Sequence, residues 1–241
     1  MKRISTSIIL LFTAAAIFPS PKPNGNAAPP QIFSLTSTQD LVLIGTKAVA
    51  TTYKGRRAVR INEDLESRSK IGSEIALVKG TDFTNGTIEA EVSGAPAASA
   101  DAGARGFVGI AFRVKEKGSK YECFYLRPTN GRADDQLRRN HSTQYISSPD
   151  YPWERLRKEN PGVYESYVDL EPGVWTNIKI VVHGVHAQLY VNGASQPSLI
   201  VNDLKLGESR GQIALWIGDG TEAYFSNLKI TPAPAAAAKI P

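Results

Sequence analysis

Short segments with alternating side chains recur along most of this chain, and they constrain its fold more than any other feature. In GFVGIAFRV, for example, Val108, Ile110 and Phe112 alternate with smaller residues. A period of two is typical of a strand that buries one face. At least ten such segments follow one another at intervals of about 8 to 12 residues, and the one helix-prone stretch, residues 151–158, lies between prolines. The pattern predicts an all-β fold, in which two antiparallel sheets pack face to face.

The N-terminal 28 residues have a different character from the rest. MKR is followed by the apolar run IILLFTAAAIF, which is too short to cross a bilayer as a stop-transfer helix. Gly25, Asn26 and Ala27 provide a small-x-small cleavage pattern. We therefore predict a signal peptide at 1–28, a single β-sandwich domain at 29–231 and a disordered Ala/Pro tail at 232–241. The protein would then be exported to the periplasm or the exterior, and the alternative is a leader that stays as a membrane tether.

The charge balance excludes some partners. The formal net charge of +5 comes from 28 basic and 23 acidic residues, but the leader holds Lys2, Arg3 and Lys22 and no acid. The mature chain is therefore close to neutral, and its arginines are interleaved with acids. This pattern predicts no nucleic-acid partner and no membrane span in the mature chain.

Cys123 is the only cysteine, so an intramolecular disulfide is impossible. It lies in the middle of the strand-like segment YECFY, and no activating base is evident beside it. We expect a buried side chain rather than a catalytic thiol.

The hairpin formed by GFVGIAFRV and YECFYLRP has a polar face. A three-residue loop between the strands would set Phe112 opposite Phe124 on the apolar face. Arg113, Tyr125 and Arg127 would then share the other face as an open polar floor. Guanidinium groups donate paired hydrogen bonds, so we predict that this floor binds hydroxyl or carboxylate groups, and an ion pair within the sheet is the alternative.

The segment that follows, residues 128–161, is rich in hydrogen-bonding groups and poor in aliphatic ones. If it folds back over the floor, it adds donors, acceptors and flat aromatic faces on which sugar rings stack. The predicted ligand contacts from this segment are Asn130, His141, Gln144, Tyr145 and Trp153. The alternative for Trp153 is that it pins its own loop to the sandwich, and for His141 that it is a loop hydrogen-bonding residue.

Two acidic pairs suggest further chemistry. Glu89 and Glu91 share one strand face, roughly 6 to 7 Å apart, a spacing suited to glycoside hydrolysis, but the sequence favours a plain exposed strand face, because IEAEVSG lacks the aspartate of a glucanase motif. Asp134 and Asp135, with Asn130 and Asn140, offer oxygen ligands for calcium, although balance against neighbouring arginines also accounts for the acids. We predict no cofactor, and calcium stays a possibility without support from a loop motif.

Several segments together resemble a known family. NGTIEAEV, the hairpin above, GVWTNIKIVVHGVHAQLYVNG and GQIALWIGDGTEAYFSNLKI are similar to successive strands of the concanavalin A-like lectin/glucanase (laminin G-like) jelly roll. Within that superfamily, a strand ending in Arg113 followed by a strand beginning Tyr121-Glu122 resembles the 3-keto-disaccharide hydrolase, or 3-keto-glucoside lyase, domains. The resemblance implies a jelly-roll β-sandwich and cleavage of a 3-keto-glycoside.

Three functions stay open at this point. The first is an exported domain that recognises a saccharide or glycoside on the open face of one sheet. The second is the glycoside-cleaving enzyme that the resemblance implies, with His141 and Glu122 as candidate catalytic residues. The third is a structural or adhesion module without a small ligand.

Overall fold

The computed structural model describes residues 28–67 and 74–234. These residues form two antiparallel sheets packed face to face, which confirms the predicted sandwich. The predicted signal peptide and tail fall almost entirely outside the described residues, and Pro232 is the last residue of the final strand.

Both sheets are large. The strands of sheet A are β1 (Gln31–Phe33), β3 (Thr46–Tyr53), β4 (Arg56–Glu63), β6 (Gly86–Pro96), β11 (Thr176–His183), β12 (His186–Val191), β13 (Leu199–Val201) and β15 (Thr221–Pro232). The strands of sheet B are β2 (Leu41–Ile44), β5 (Glu74–Val78), β7 (Val108–Val114), β8 (Tyr121–Leu126), β9 (Thr143–Ser148), β10 (Glu165–Ser166) and β14 (Gln212–Ile217). Sheet A has the order β13-β12-β11-β6-β15-β4-β3, with β1 also paired to β15, and sheet B has the order β10-β9-β8-β7-β14-β5-β2.

Two short helices lie in the long segment between β8 and β10: α1 (Gln136–Arg139) and α2 (Trp153–Glu159). The Asp135 side chain caps α1 by accepting a hydrogen bond from the Arg138 amide at 3.1 Å. In the two described ranges, every helix is too short to cross a bilayer.

The alternation seen in the sequence determines how the strands bury their side chains. In β11, Ile178, Ile180 and Val182 are buried, whereas the residues between them are partly or fully exposed. Every residue of β7 and β8 is buried, so the centre of sheet B is covered on both faces. Cys123 is among these buried residues, as expected, and burial raises the pKa of its thiol well above the usual value.

The hairpin of β7 and β8 has a different register from the predicted one. Phe112 lies opposite Glu122, and Ile110 lies opposite Phe124, which is a shift of two residues. The cause is a longer connection, in which a short 3₁₀ turn spans Glu116–Gly118. Because the shift is even, each side chain keeps its predicted face, with one exception that changes the site.

That exception is a β-bulge at Arg113. Between β7 and β14 the pairing passes from Ala111↔Ala214 to Val114↔Gln212, so β7 holds one extra residue. Arg113 has a φ of 54°, in the left-handed region that non-glycine residues rarely adopt. The bulge therefore redirects the Arg113 side chain.

Candidate functional site

A cleft of about 380 Å³ opens where β8 and β9 meet the long segment that contains α1 and α2. We call it the Arg127 cleft. Its walls come from three parts of the chain: the loop before β7, the segment after β8, and α2. The lining residues are Gly103, Arg105, Phe107, Arg127, Asn130, Asp135, Leu137, Arg138, His141, Trp153 and Arg157. A second hollow of about 720 Å³ continues from it past His141 and Arg157.

Trp153 presents the flat aromatic surface of this cleft. It is the first residue of α2, and its side chain is 37% exposed. The guanidinium carbons of Arg127 and Arg157 lie 5.4 Å and 4.5 Å from its ring centroid. Arg127 also lies over the rings of Phe107 and Tyr125, at 5.9 Å and 5.3 Å. These cation–π contacts fix the orientation of the indole while leaving part of it open to solvent.

Glu165 lies behind the cleft, in the lining of the second hollow, where it contacts three residues that line the cleft. Its side chain is 4% exposed, and Arg157 donates to it through Nη2 at 2.7 Å and through Nε at 3.0 Å. His141 Nε2 lies 3.1 Å from the same carboxylate, and Arg127 Nη1 lies 3.9 Å away. This nearly buried carboxylate therefore fixes the positions of the Arg157 guanidinium, the His141 imidazole and the Arg127 guanidinium.

The surroundings of His141 act on its protonation in opposite directions, and burial has the largest effect. Burial lowers the pKa of its imidazole below the usual value; Glu165 acts in the opposite direction, and the guanidiniums of Arg157 and Arg127 add to the lowering. A neutral ring that donates through Nε2 to Glu165 keeps Nδ1 as an acceptor or base. The pair can therefore bind a hydroxyl group or accept a proton.

Asn130 supports the cleft rather than protruding into it. Its Nδ2 donates to the His141 carbonyl at 3.1 Å, and its Oδ1 accepts from Arg138 Nε at 3.0 Å. Tyr125 has a similar supporting role, since its buried hydroxyl accepts from Arg127 Nη2 at 2.9 Å. Burial raises the pKa of Tyr125 to about 12, so the phenol stays protonated.

The prediction that Arg113 and Arg127 share one open floor is wrong. Arg113 is fully buried, and its guanidinium donates to the carbonyls of Thr84, Gly184 and Gly207 at 2.7 to 2.8 Å. The β-bulge turns it toward connections of sheet A, whereas Arg127 lies in the cleft. Arg113 therefore has a structural role, because its N–H donors are bound by carbonyl groups of the protein.

Glu122 and Tyr145 are also placed away from the cleft. Both side chains lie on the face of sheet B that packs against sheet A, and both are fully buried. Tyr145 donates to Glu122 and accepts from the amide of Lys205, while Glu122 accepts from the amide of Leu206. Burial raises the pKa of Glu122. Strand alternation explains the placement, since Glu122 and Phe124 share the inner face. The pair anchors the connection between β13 and β14.

Gln144 is buried at the edge of sheet B. Its Nε2 donates to the carbonyls of Tyr145 and Tyr164 at 2.9 and 3.0 Å, which ties β9 to the segment before β10. Of the predicted ligand contacts, the structure thus brings together Arg127, Asn130, His141 and Trp153, with Tyr125 behind them. Gln144 lies outside the cleft lining.

Sequence analysis missed several residues of the site, chiefly Arg105 and Arg157 in the cleft lining and Glu165 behind it. One signal was available for Arg157, which follows Trp153 by four residues in a segment already predicted to be helical, and such residues share a helix face. Glu165 reaches His141 only because β10 pairs with β9, with Glu165 opposite Gln144. No spacing along the chain encodes that contact.

A groove of about 410 Å³ on the outer face of sheet A contains Glu89 and Glu91. Glu89 pairs with Lys229 at 3.0 Å, and Glu91 pairs with Arg56 at 2.9 Å. The ring of Tyr190 is covered by the ammonium group of Lys179 at 4.1 Å. These carboxylates are neutralised on a partly exposed strand face, which favours the structural interpretation of the pair.

The two acids considered for calcium differ in their surroundings. Asp135 caps α1, as described above, and Asp134 is exposed. Within the described part of the chain, the acids whose oxygens converge to within 4.8 Å are Glu63, Glu74 and Asp219. A calcium site at Asp134 and Asp135 stays a prediction.

The fold is shared with solved structures of low sequence identity. A carbohydrate-binding module of family CBM66 from Bacillus subtilis matches with a TM-score of 0.54 at 14% identity, over 80% of this chain and 96% of that one. A Bacillus subtilis protein of unknown function with a galectin-like fold gives 0.55 at 9% identity, over 87% and 99%. The Crh5 transglycosylase in complex with NAG gives 0.51 at 13% identity, over 90% of each chain. These likenesses confirm the jelly-roll type of the sandwich.

At the sequence level, no curated protein matches the chain significantly. The family model for the 3-keto-alpha-glucoside-1,2-lyase-like domain does match, over residues 47–231. That span covers β3 to β15 almost completely, and with them the Arg127 cleft and every strand of the sandwich except β1 and β2. The chain therefore belongs to the 3-keto-alpha-glucoside-1,2-lyase-like domain family.

Proposed function

We propose that the chain recognises a saccharide or glycoside in the Arg127 cleft. The observation that carries the proposal is the partly exposed indole of Trp153, which lines the cleft together with two guanidiniums and with His141, the partner of Glu165. An apolar ring face stacks on the indole, while hydroxyl groups find donors and acceptors in the wall. A cleft of about 380 Å³ also lies in the size range of small-ligand pockets.

This site differs from the sheet face that the sequence suggested. The outward-facing residues of β7 and β8 are buried, so the centre of that face offers a ligand no access. The cleft instead lies at the end of β8, where Arg127 leaves the sheet. The carbohydrate-binding module and the transglycosylase that share the fold support a carbohydrate ligand, as does the family.

A second function, cleavage of a 3-keto-glycoside, is favoured by the His141–Glu165 pair. In a 1,2-elimination a base removes the proton on C2, which the ketone at C3 acidifies. The C1=C2 double bond then forms as the glycosidic C1–O bond breaks, and the departing alcohol oxygen takes the proton back from the protonated base. The neutral imidazole of His141 would be the base, Glu165 would stabilise the imidazolium, and Arg127 would stabilise developing charge on the ketone oxygen.

A panel of saccharides separates these functions. We expect that one or more mono- or disaccharides, tested in neutral, acidic and 3-keto forms, raise the melting temperature of the full chain. Recognition alone leaves the ligand intact. The enzyme releases product from a 3-keto-disaccharide and loses that activity on His141→Ala, whereas His183→Ala on the exposed end of β11 retains it. Absence of both a shift and turnover across the panel would refute the proposed function and leave a structural module.

A further inference from the structure

The lining of the Arg127 cleft has an excess of positive charge. Arg105, Arg127, Arg138 and Arg157 line it, and Asp135 is the one acidic residue among the lining residues. These arginines come from the loop before β7, the end of β8, α1 and α2. Residues far apart in the sequence thus converge on one hollow.

The carboxylates nearby neutralise only part of this charge. Glu165 is bound by the fork of Arg157 and lies near Arg127. Asp135 uses an oxygen to accept from the backbone amide of Arg138, not from its guanidinium. Two carboxylates therefore face four guanidiniums, and neither is paired with the guanidinium of Arg105 or Arg138.

Arg105 and Arg138 make only neutral contacts. Arg105 donates through Nη1 to the carbonyls of Ala102 and Ala104, at 2.8 and 3.1 Å. Arg138 donates to the Asn130 side chain and to Thr129. Among the described residues, no carboxylate lies within 4.0 Å of either guanidinium, and each has donor groups left for a ligand.

Such crowding of like charges is unfavourable in the empty cleft. Burial lowers the pKa of Arg105, and the positive charges of Arg138 and Arg127 lower it further. The groove on sheet A shows the opposite arrangement, since Glu89 and Glu91 each have a cationic partner. An anionic group bound in the cleft would relieve the repulsion and would bind more tightly for that reason.

We propose that the saccharide bound by the Arg127 cleft carries a negative charge, as a carboxylate or a sulfate ester, which is bound by Arg105 and Arg138. The inference rests on the proposed function and adds the ligand class. The sugar ring stacks on Trp153, and the anionic substituent extends toward the two arginines that lack a carboxylate partner. Guanidinium forks fit carboxylate and sulfate oxygens equally well, so both sources share one chemistry.

Matched ligands test this inference on the full chain. The probes are the methyl glycosides of glucose, galactose and mannose, each as the neutral sugar, the uronate and the 6-sulfate, with sodium sulfate alone as an ion control. At low ionic strength we expect a charged member to bind at least about tenfold more tightly than its neutral parent. The preference should shrink at high salt, because exposed charges are screened. Comparison of the affinities of the uronates with those of the 6-sulfates shows which anionic group the cleft prefers.

A variant pair assigns the preference to the cleft. Arg105→Gln removes one guanidinium whose contacts are confined to carbonyls of its own loop, so we expect an unchanged melting temperature and the loss of most of the charge preference. Arg60→Gln makes the same change in net charge on the outer face of sheet A and should leave the preference intact. If Arg105→Gln does unfold the loop, Arg138→Gln gives the same readout.

The outcomes separate this inference from the proposed function. Neutral and charged sugars that bind equally well would overturn the inference and leave the proposed function standing. Sodium sulfate that binds as tightly as the sulfated sugars would reduce the site to an ion site and also overturn the inference. Absence of binding by every sugar would overturn both.

Discussion

Replacing Arg113 with methionine is expected to lower the free energy of unfolding by about 3 to 5 kcal/mol, because it removes the donors from a buried network. The guanidinium is fully buried and satisfies carbonyls of Thr84, Gly184 and Gly207, together with the Asn85 side chain at 3.2 Å. These acceptors belong to three separate connections. Methionine fills part of the volume but leaves the carbonyls without partners.

Urea unfolding of the full chain measures this effect. Arg113→Lys keeps the charge but cannot reach all four oxygens, so it should restore only part of the loss. Arg60→Met, on a partly exposed side chain of β4, should change stability by no more than about 0.5 kcal/mol. A decrease of less than about 1 kcal/mol in the free energy of unfolding of Arg113→Met would contradict the structural role of Arg113.

The second large effect is expected at Glu165. In Glu165→Gln the cleft loses the negative charge that Arg157, Arg127 and His141 share, and an amide group partly replaces acceptors with donors. We expect the free energy of unfolding to fall by about 2 to 3 kcal/mol. The effect is smaller than for a fully buried ion pair, because the Arg157 side chain is 30% exposed. The orientation of α2, and with it Trp153, should loosen at the same time.

The same variant has a second readout in the titration of His141. Glu165 raises the pKa of the imidazole, while burial, Arg157 and Arg127 lower it. Removing the carboxylate should therefore shift the pKa of His141 to still lower values, and nuclear magnetic resonance measures this against His183 and His186. Glu159→Gln is the control, because Glu159 makes an exposed pair with Arg155 on the same helix. A His141 pKa that stays unchanged or rises in Glu165→Gln would contradict the arrangement.

Local patterning determined how much of the fold was predictable. The alternation in β7, β8 and β11 identified the strands and the face of each that packs in the core, because side chains alternate between the two faces of a strand. In β7 and β8 the outer face is buried as well, which alternation did not predict. The predicted register of the β7–β8 hairpin was wrong by two residues. The side chains other than Arg113 nevertheless lie on their predicted faces, since an even shift leaves the face of each residue unchanged.

The candidate site was less predictable because it depends on irregular and long-range features. A β-bulge redirects Arg113, and alternation alone does not show where a strand has an extra residue. Glu122 and Tyr145 lie on the inner face, where polar side chains were not expected. Arg127, His141 and Trp153 were identified by residue type and composition, whereas Glu165 joins them only through the pairing of β10 with β9.

The central claim is that the Arg127 cleft, and no other surface of the sandwich, binds the saccharide. Calorimetric titration tests it with the panel member that gives the largest thermal shift, using the full chain, Trp153→Ala and Tyr190→Ala. Tyr190 lies in the groove of sheet A and is the matched aromatic control. We predict that Trp153→Ala weakens binding about tenfold or more while Tyr190→Ala leaves it unchanged. Unchanged affinity in Trp153→Ala together with lost affinity in Tyr190→Ala would place the ligand on sheet A and contradict the account.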